Sequence, residues 1–250
     1  MIKGTWKDVW YDANGNVLGI QVGNNIWTEP ASRFFMGAAT GHFNSGNVHH
    51  AFGVGEEAWD TAVPFPKPNV YQTTLTNEVL RKPVSDKYFM KIGHGRAQSG
   101  SLTGIHDPWR EDPVTSLYRG RFEPDDIFNG VEVSITSGTN TGEVRNVVDY
   151  DQITGTIVVD SPFPQEVDDT TEYLFTPEPS VVPTNAVEFR TVLDYGDLSE
   201  GVYLREHGLF FGDDAENPNE GFMIDCIRHA KIYKDGTVRL VRFITLSFNP

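Results

Sequence analysis

The sequence predicts an all-β fold of the sandwich or barrel type with one short α-helix. Short runs in which apolar and polar residues alternate, the pattern of half-buried strands, recur along most of the 250 residues. The 24 glycines and 15 prolines indicate frequent turns and few helices. A chain of this length can bury a real core, as one large β domain or as two domains.

The first element that the pattern predicts is a β-hairpin over residues 5–22. Apolar residues lie on both sides of the sequence DANGN in this segment. Its Asn14 and Gly15 form the dipeptide favoured in hairpin turns of type I′, in which both central residues take a positive φ.

Residues 30–40 form the only good helix candidate. Thr28 can serve as the N-cap, and Pro30 falls in the first turn, where its missing N–H does no harm. Phe34 lies on the apolar face expected of such a helix, and Gly41 can end it.

Residues 131–175 contain four short strands, VEVSITSG, GEVRNVVDYD, GTIVVDSPF and TEYLFTP, with turn signals between them. A block of this kind is typical of a small β-barrel or sandwich. We therefore predict a discontinuous β core, residues 1–100 and 181–250, that carries an inserted β module at residues 101–180.

The C-terminal strands complete the predicted core. The last of them covers residues 237–248 and alternates well enough to assign its inward side chains. The residues expected to face inward are Val238, Leu240, Phe243, Leu246 and Phe248.

The charge of the chain argues against a nucleic-acid partner. There are 20 Lys and Arg against 35 Asp and Glu, a formal net charge of −15, whereas nucleic-acid binders present a basic face. Residues 166–225 are strongly acidic, and opposite charges on one chain suit copies that contact each other. The alternative is a solvated acidic surface. The basic residues expected to form the assembly surface are Arg228, Lys231, Lys234, Arg239 and Arg242.

The single cysteine, Cys226, excludes an intrachain disulfide, and its apolar neighbours indicate a buried, unreactive thiol. The N-terminal sequence has none of the features of a signal peptide. No stretch approaches the ~20 apolar residues that a membrane helix requires. We therefore expect a protein that is made in a cytoplasm and has no membrane partner.

Near the C-terminus the run GVYLREHGLFFGD, residues 201–213, is followed by FMIDCIRHAKIYK and VRLVRFITLSF. This succession resembles the signature of phage tail-collar and tail-fibre attachment proteins. TEPASRFFMGAATG, HHAFGVG and TTLTNEVLRKPV come earlier, in the order that this family shows. The similarity covers residues 26–92 and 186–248. Between them, TSGTNTGEVRNVVDYD resembles a short β module of many phage structural proteins.

The resemblance implies a structural component of a phage virion, in the tail, baseplate or collar, that is made in the host cytoplasm. It would be an adaptor on which tail fibres or neighbouring tail proteins dock, and a homo-oligomer, either a trimer or a hexameric ring. No enzyme activity is expected. The alternative is a receptor- or carbohydrate-binding module whose Trp109 and Tyr118 contact a glycan or partner. A polysaccharide hydrolase is a third class.

Four charged residues stand at motif positions of the family-like segments, Glu78, Arg81, Arg205 and Glu206. Arg205 and Glu206 are adjacent on a predicted strand, so their side chains point to opposite faces. A buried charge without a partner is costly. We therefore expect a structural ion-pair network in which Arg205 pairs with Glu78 and Glu206 pairs with Arg81.

No metal site and no cofactor are predicted. His42, His49 and His50 could be proposed as zinc or iron ligands, but adjacent strand residues point to opposite faces. His207 and His229 are expected to be isolated histidines with satisfied hydrogen bonds. The acidic loop GDDAENPNEG lacks the ligand order of an EF-hand, so a solvated hairpin loop is expected there instead of a calcium site.

Overall fold

The computed structural model describes residues 2–42, 47–108, 111–112, 117–118 and 124–248. Within these ranges it confirms the predicted fold class, because antiparallel sheets dominate and there is one short α-helix. In chain order the elements are β1 (Ile2–Tyr11), β2 (Val17–Asn24), β3 (Ile26–Trp27), α1 (Glu29–Ala39), β4 (Asn47–Gly53), a 3-10 helix (Glu57–Thr61), β5 (Glu78–Pro83), β6 (Asp86–Lys91), β7 (His94–Arg96), β8 (Ser99–Gly100), β9 (Gly104–His106), β10 (Glu111–Asp112), β11 (Leu117–Tyr118), β12 (Glu132–Ser137), β13 (Val144–Asp151), β14 (Thr156–Val159), β15 (Glu172–Phe175), β16 (Glu178–Ser180), β17 (Ala186–Leu193), β18 (Val202–Gly212), β19 (Phe222–Lys234) and β20 (Arg239–Phe248).

The chain divides into two compact units. The first comprises residues 2–87 and 188–246 and is called the sandwich unit here. The second is built around residues 88–187 and is called the half-barrel unit. The predicted module, residues 101–180, falls within the second range, and its independent folding remains a prediction.

The sandwich unit consists of two antiparallel sheets that face each other. One has the strand order β3-β19-β18-β4-β5, and the other contains β17-β20-β1-β2. Phe52 and Leu204 of the first sheet pack against Leu193 and Leu240 of the second, and all four are fully buried. Burying a large apolar side chain contributes about 1.5–3 kcal/mol, so this interior is a main source of stability.

Strand β18 contains the LREHGLF sequence and lies at the centre of the five-stranded sheet, between β19 and β4. Its residues 204–212 are all buried, which shows that both of its faces are covered. On the face that points away from the other sheet, Phe210 packs with Leu75 and Ala215, which belong to the loops before β5 and after β18.

Helix α1 confirms the predicted helix and begins one residue earlier than predicted. Thr28 occupies the N-cap position, but its hydroxyl donates to the backbone carbonyl of Met223 instead of capping the helix. Phe34 is buried and packs against β18 and β19, and Gly41 follows the helix with a φ of 74°. Within the described ranges no helix is both long and apolar enough to cross a membrane.

Strands β1 and β2 form the predicted N-terminal hairpin, but its turn is not of type I′. Gly15 has a positive φ of 83°, whereas Asn14 does not. The carboxylate of Asp12 accepts the backbone N–H groups of Asn14 and Asn16, each at 2.8 Å. This side-chain bonding favours a longer loop in which one residue is left-handed.

The half-barrel unit is a curled antiparallel sheet with the strand order β7-β15-β12-β13-β14-β9-β8. The four strands predicted within residues 131–175 are β12 to β15. The core cluster of this unit lies entirely between Ala97 and Phe175. At its centre Phe128 stacks on Phe175 with ring centroids 4.1 Å apart, and Tyr150 meets Phe128 edge-on at 5.0 Å.

The two ends of the segment that forms this curled sheet lie side by side. The backbone N–H of Phe175 donates to the carbonyl of Gly93 at 2.9 Å. Just outside that bond, Lys91 lies opposite Glu178 in the β6–β16 pair. An inserted segment is tolerated where its ends meet in this way, because the chain around it needs little rearrangement when the segment is absent.

Replacement of residues 94–175 by a short Gly/Ser linker is therefore expected to leave a folded protein. The excised segment contains its own core, and the linker has only to join neighbouring strands. Thermal melting followed by circular dichroism should retain one cooperative transition. Deletion of residues 101–180 is the comparison, because it leaves β7 and β8 without their partners and should melt less cooperatively. A non-cooperative melt of the first variant would contradict the expectation.

Candidate functional site

The interior of the sandwich unit contains a group of polar side chains, here called the polar centre. It consists of His50, His207 and His229 from the five-stranded sheet and Asp8 and Arg242 from the opposite sheet. Each of these side chains is at most 3% exposed. Their residue types are rarely buried without specific partners, so their hydrogen bonds decide what the site can do.

Asp8 and Arg242 form a buried bidentate ion pair. The Nε of Arg242 donates to Oδ1 of Asp8 at 2.6 Å, and its Nη2 donates to Oδ2. The guanidinium also lies 5.1 Å from the ring centroid of Phe52. Parallel N–H bonds from a planar guanidinium are the strong form of such a pair, and they offset the desolvation of two buried charges.

The hydrogen bonds of His229 define its tautomer. Its Nδ1 lies 2.8 Å from the carbonyl oxygen of Ala230, which can only accept a hydrogen bond. Its Nε2 lies 3.1 Å from Nη2 of Arg242, which can only donate one. The ring is therefore neutral, with its proton on Nδ1, and both nitrogens are satisfied.

The other two histidines are less well satisfied. Nδ1 of His50 is hydrogen-bonded to the hydroxyl of Thr191, but its Nε2 has no partner among the described residues. Neither ring nitrogen of His207 has a partner in the described part of the chain. The ring of His207 lies between those of His50 and His229, at centroid distances of 6.2 and 5.6 Å. A buried polar group left unpaired costs about 1–3 kcal/mol.

Burial lowers the pKa of every histidine in the polar centre. It holds the pKa values of His50 and His207 well below their usual range, and the charge of Arg242 lowers both further. Burial and Arg242 together lower the pKa of His229 to about 4, although Asp8 acts in the opposite direction. All three rings are thus neutral at pH 7, and protonating any of them would place a second cation beside Arg242.

A further titratable group, Asp225, lies on β19 outside the polar centre, is fully buried and is acted on by the charge of Arg242. Its Oδ2 accepts a hydrogen bond from Nδ2 of Asn25 at 2.5 Å, and its Oδ1 accepts the N–H of Leu209 at 3.0 Å. Burial raises the pKa of Asp225 to about 7 despite these donors and Arg242. The three histidines of the polar centre therefore resist protonation, whereas the neighbouring Asp225 favours it.

The structure does not bring the histidines together as metal ligands. His49 and His50 point to opposite faces of β4, and His42 is exposed after the end of α1. Among the described residues no three His, Cys, Asp or Glu side chains are arranged to hold a metal ion. The prediction that His207 and His229 are isolated is wrong, since their rings lie 5.6 Å apart.

The predicted ion-pair network has different partners in the structure. Glu78 pairs with Arg81, with Nη2 and Oε2 2.6 Å apart and both side chains almost fully buried. Arg205 pairs with Asp60, through two bonds of 2.9 Å. Glu206 is fully buried and accepts the backbone N–H groups of residues 76 and 77, at 3.1 and 2.8 Å. Residues three apart in a regular strand point to opposite faces, but β5 has an irregularity between Glu78 and Leu80 that lets Glu78 and Arg81 reach each other.

Asp60 links the Arg205 pair to the surface. Its Oδ2 also accepts a hydrogen bond from Nζ of Lys231 at 2.9 Å. The bonds from Arg205 and then Lys231 lower the pKa of Asp60 far below its usual range. Lys231 is half exposed, whereas the side chain of Arg205 is 6% exposed, so only the outer part of this group meets water.

The predicted basic assembly surface is wrong for two of its five residues. Arg242 belongs to the polar centre, because it shares its face of β20 with the buried Leu240 and Ile244. Lys234 is fully buried, and its Nζ donates to the carbonyls of residues 197 and 235. Burial lowers the pKa of Lys234.

Of the residues predicted to face inward from the last strand, Phe243 is half-buried. The side chain of Phe248 lies outside the described part.

The remaining residues of that set meet solvent in part. Arg228 lies over the ring of Trp59, with its Cζ 4.4 Å from the centroid, and Arg239 is 3.8 Å from the carboxylate of Asp194. Lys231 forms a salt bridge with Asp60.

Of the two predicted glycan contacts, Trp109 lies outside the described residues. Tyr118 belongs to β11, but its side chain is likewise outside the description.

The sequence analysis did not predict the polar centre, although the alternation of residues in β1 and β20 contains a signal for it. Asp8 alternates with Trp6 and Trp10 in β1, so a charge stands at an inward position. Arg242 shares its parity with Leu240 and Leu246 in the same way. A charged residue in phase with inward apolar residues predicts a buried partner of opposite charge.

In three comparisons with known proteins, the chain matches no protein-family model, no curated protein and no solved structure. The function proposed below therefore rests on the order of the sequence motifs and on the geometry of the described residues.

Proposed function

We propose that this chain is a structural component of a phage virion, in the tail, baseplate or collar. It acts there as an assembly adaptor on which tail fibres or neighbouring tail proteins dock, and it is made in the host cytoplasm. The observation that carries the proposal is that Glu78, Arg81, Arg205 and Glu206, the four residues predicted to form the ion-pair network, tie loops to the five-stranded sheet.

Each of these residues fixes a particular loop. Arg81, held by Glu78, donates to the carbonyls of residues 215 and 220 in the loop after β18, at 3.0 and 2.9 Å. Glu206 binds the N–H groups of the turn at residues 76 and 77. Arg205 binds Asp60 of the 3-10 helix and the carbonyl of residue 54. Loops held by buried, charge-assisted bonds keep one shape, as a docking surface requires.

The partners in this proposal are other tail, baseplate or collar proteins, the tail fibres and further copies of the chain. A docking surface acts through its shape. Arg81, Arg205 and Glu206 suit this role because their hydrogen bonds hold the loops of the sandwich unit in place. A trimer or hexameric ring remains the expected symmetry of the virion-bound form. Nucleic acid and membranes are not among the proposed partners.

The test uses virions of the phage that encodes the chain. Negative-stain images of particles labelled with an antibody to this protein should show label at the tail, baseplate or collar. A null mutant should yield particles that lack fibres or tail parts, and complementation in trans should restore them. Absence of the chain from purified virions by mass spectrometry would overturn the proposal. Binding on a glycan array would support the receptor-binding alternative instead.

A further inference from the structure

Strand β2 is an edge strand with little of the usual protection of an edge. Among the described strands it pairs only with β1, so its alternate N–H and C=O groups on the other side face outward. Its sequence, VLGIQVGN, contains no charged residue and no proline. A bulge at Leu18 interrupts the pairing with β1 near the start of the strand, and residues 19–24 pair regularly. Natural sheets normally protect an edge of eight residues with charges, prolines or bulges, because a bare edge pairs with another strand.

One face of β2 presents an apolar stripe to solvent. Leu18, Ile20 and Val22 alternate on that face and are 53%, 56% and 69% exposed, and the neighbouring Val17 is 54% exposed. The exposed surface of these four side chains is on the order of 400 Å², comparable to the largest apolar patch on a typical monomer. A continuous patch of this size marks an interaction site.

The other face of β2 carries two glycines that tryptophan side chains of β1 cover. Gly19 and Gly23 lie there, beside the indole rings of Trp10 and Trp6. A Cβ atom at Gly19 would come within 2.2 Å of the Trp10 ring, so the tryptophan occupies the space over the strand. No side chain of β2 at these two positions would obstruct a strand that pairs with its free edge.

We propose that β2 is the contact through which two copies of this chain associate, by antiparallel pairing of β2 with β2 of a second copy. A two-fold axis through Ile20 places Ile20 opposite its equivalent and brings Val22 against the bulged Leu18 of the second copy. On the other face, Gly19 lies opposite Gln21 of the second copy, so a residue without a side chain meets a long one. Apolar residues then meet apolar residues along one face of a continuous sheet.

The area of the apolar stripe favours a second copy as the occupant, and the absence of charge on β2 permits it. The chain carries a net charge of −15, so two copies repel each other unless they meet at an uncharged surface, and β2 is such a surface. The apolar stripe supplies about half of the ~800 Å² that each partner buries in a standard interface. The backbone ladder and the flanking strand β1 contribute the rest. Self-pairing also fulfils the hydrogen-bonding groups of both edges at once.

This inference does not rest on the proposed virion role. It also differs from assembly through opposite charges, which the buried positions of Lys234 and Arg242 do not support. A contact made of backbone bonds and apolar side chains should persist in salt, whereas a contact between charged surfaces should weaken. Salt dependence therefore separates the two modes of assembly.

The test is mass photometry and analytical ultracentrifugation of the full chain at micromolar concentration. A dimer is expected, and it should persist at 1 M salt. Ile20→Lys places two lysines opposite each other and is expected to raise the dimer dissociation constant at least tenfold. Ile153→Lys is the matched control, because Ile153 is 62% exposed on the half-barrel unit, and it should leave the dimer unchanged. Val22→Lys provides a second variant should Ile20→Lys lower the melting temperature.

A chain that stays monomeric at every concentration overturns the proposal, and this is also the outcome if a strand of a different protein covers β2. A dimer that Ile20→Lys and Val22→Lys weaken no more than Ile153→Lys does would place the contact elsewhere and overturn it as well. Neither outcome bears on whether the chain is found in virions.

Discussion

Acidification from pH 6.5 towards pH 4.5 is expected to destabilise the protein steeply, because the three histidines of the polar centre resist protonation in the folded state. An unfolded histidine has a pKa near 6.5, whereas burial keeps the pKa values of His50, His207 and His229 lower in the fold. The stabilisation from these rings is complete above pH 6.5. It is lost as the pH falls, since only the unfolded chain then takes up protons.

The size of the effect follows from the number of protons. Each histidine that protonates only on unfolding contributes about 1.4 kcal/mol per pH unit, so three contribute about 4 kcal/mol per unit. Asp225 acts in the opposite direction, because its pKa of about 7 in the fold lies above its ordinary value of 3.8. It gains about 1.4 kcal/mol per unit as the pH falls through this range. The net loss is therefore about 3 kcal/mol per pH unit.

Urea unfolding at a series of pH values, followed by tryptophan fluorescence, measures this slope. Trp6 is a suitable reporter, since its ring lies 5.8 Å from that of His207 and 5.5 Å from that of His229. His207→Leu should reduce the slope by about 1.4 kcal/mol per pH unit, because it removes one of the three rings. The same substitution at the exposed His42 is the control. A free energy of unfolding that does not change between pH 6.5 and 4.5 would refute the expectation.

At neutral pH the same His207→Leu variant should be at least as stable as the wild type. Neither ring nitrogen of His207 has a hydrogen-bond partner among the described residues, and leucine has a similar volume without polar atoms. The advantage of the variant over the wild type should therefore grow as the pH falls, whereas a packing defect would change stability equally at every pH.

The fold was largely predictable because the signals that specify it are local. Alternation identified β12 to β15 and the C-terminal strands, and Pro30 and Gly41 marked the ends of α1. The turn type at Asn14 was missed because the carboxylate of Asp12 competes for the backbone N–H groups of the loop. That competition is also local, but it involves a side chain outside the dipeptide.

The partners of the charged residues were not predictable, because they depend on which segments become neighbours. Arg205 finds Asp60 in a 3-10 helix 145 positions away, and Arg242 finds Asp8 at a separation of 234. The predicted assembly surface required every basic residue of the last two strands to be exposed. Arg242 and Lys234 show that a charge in phase with inward residues is part of the interior.

The buried charges of Asp8 and Arg242 affect both the stability of the fold and the register of its strands. A polar centre between two sheets allows one register, because a slip of one residue in β1 or β20 would point Asp8 or Arg242 to the opposite face. Removing one partner should therefore cost more than replacing both. This asymmetry is the basis of the second prediction.

Asp8→Ala is expected to lower the free energy of unfolding by about 3–5 kcal/mol, because it leaves the guanidinium of Arg242 buried without a counter-charge. Asp8→Leu combined with Arg242→Met should recover stability to within about 2 kcal/mol of the wild type, since apolar side chains of similar volume need no partner. The residual cost is the hydrogen bond that His229 loses.

Glu29→Ala is the control for this comparison, because it removes one partner of the exposed Glu29–Arg33 pair, whose side chains are 41% and 71% exposed. Its effect should be below about 1 kcal/mol, as is usual for ion pairs in water. Urea unfolding of the single and double variants gives the coupling energy between Asp8 and Arg242. If Asp8→Ala costs no more than Glu29→Ala, or if the double variant is no more stable than Asp8→Ala, then the ion pair does not hold β1 and β20, which are neighbours in one sheet, in register.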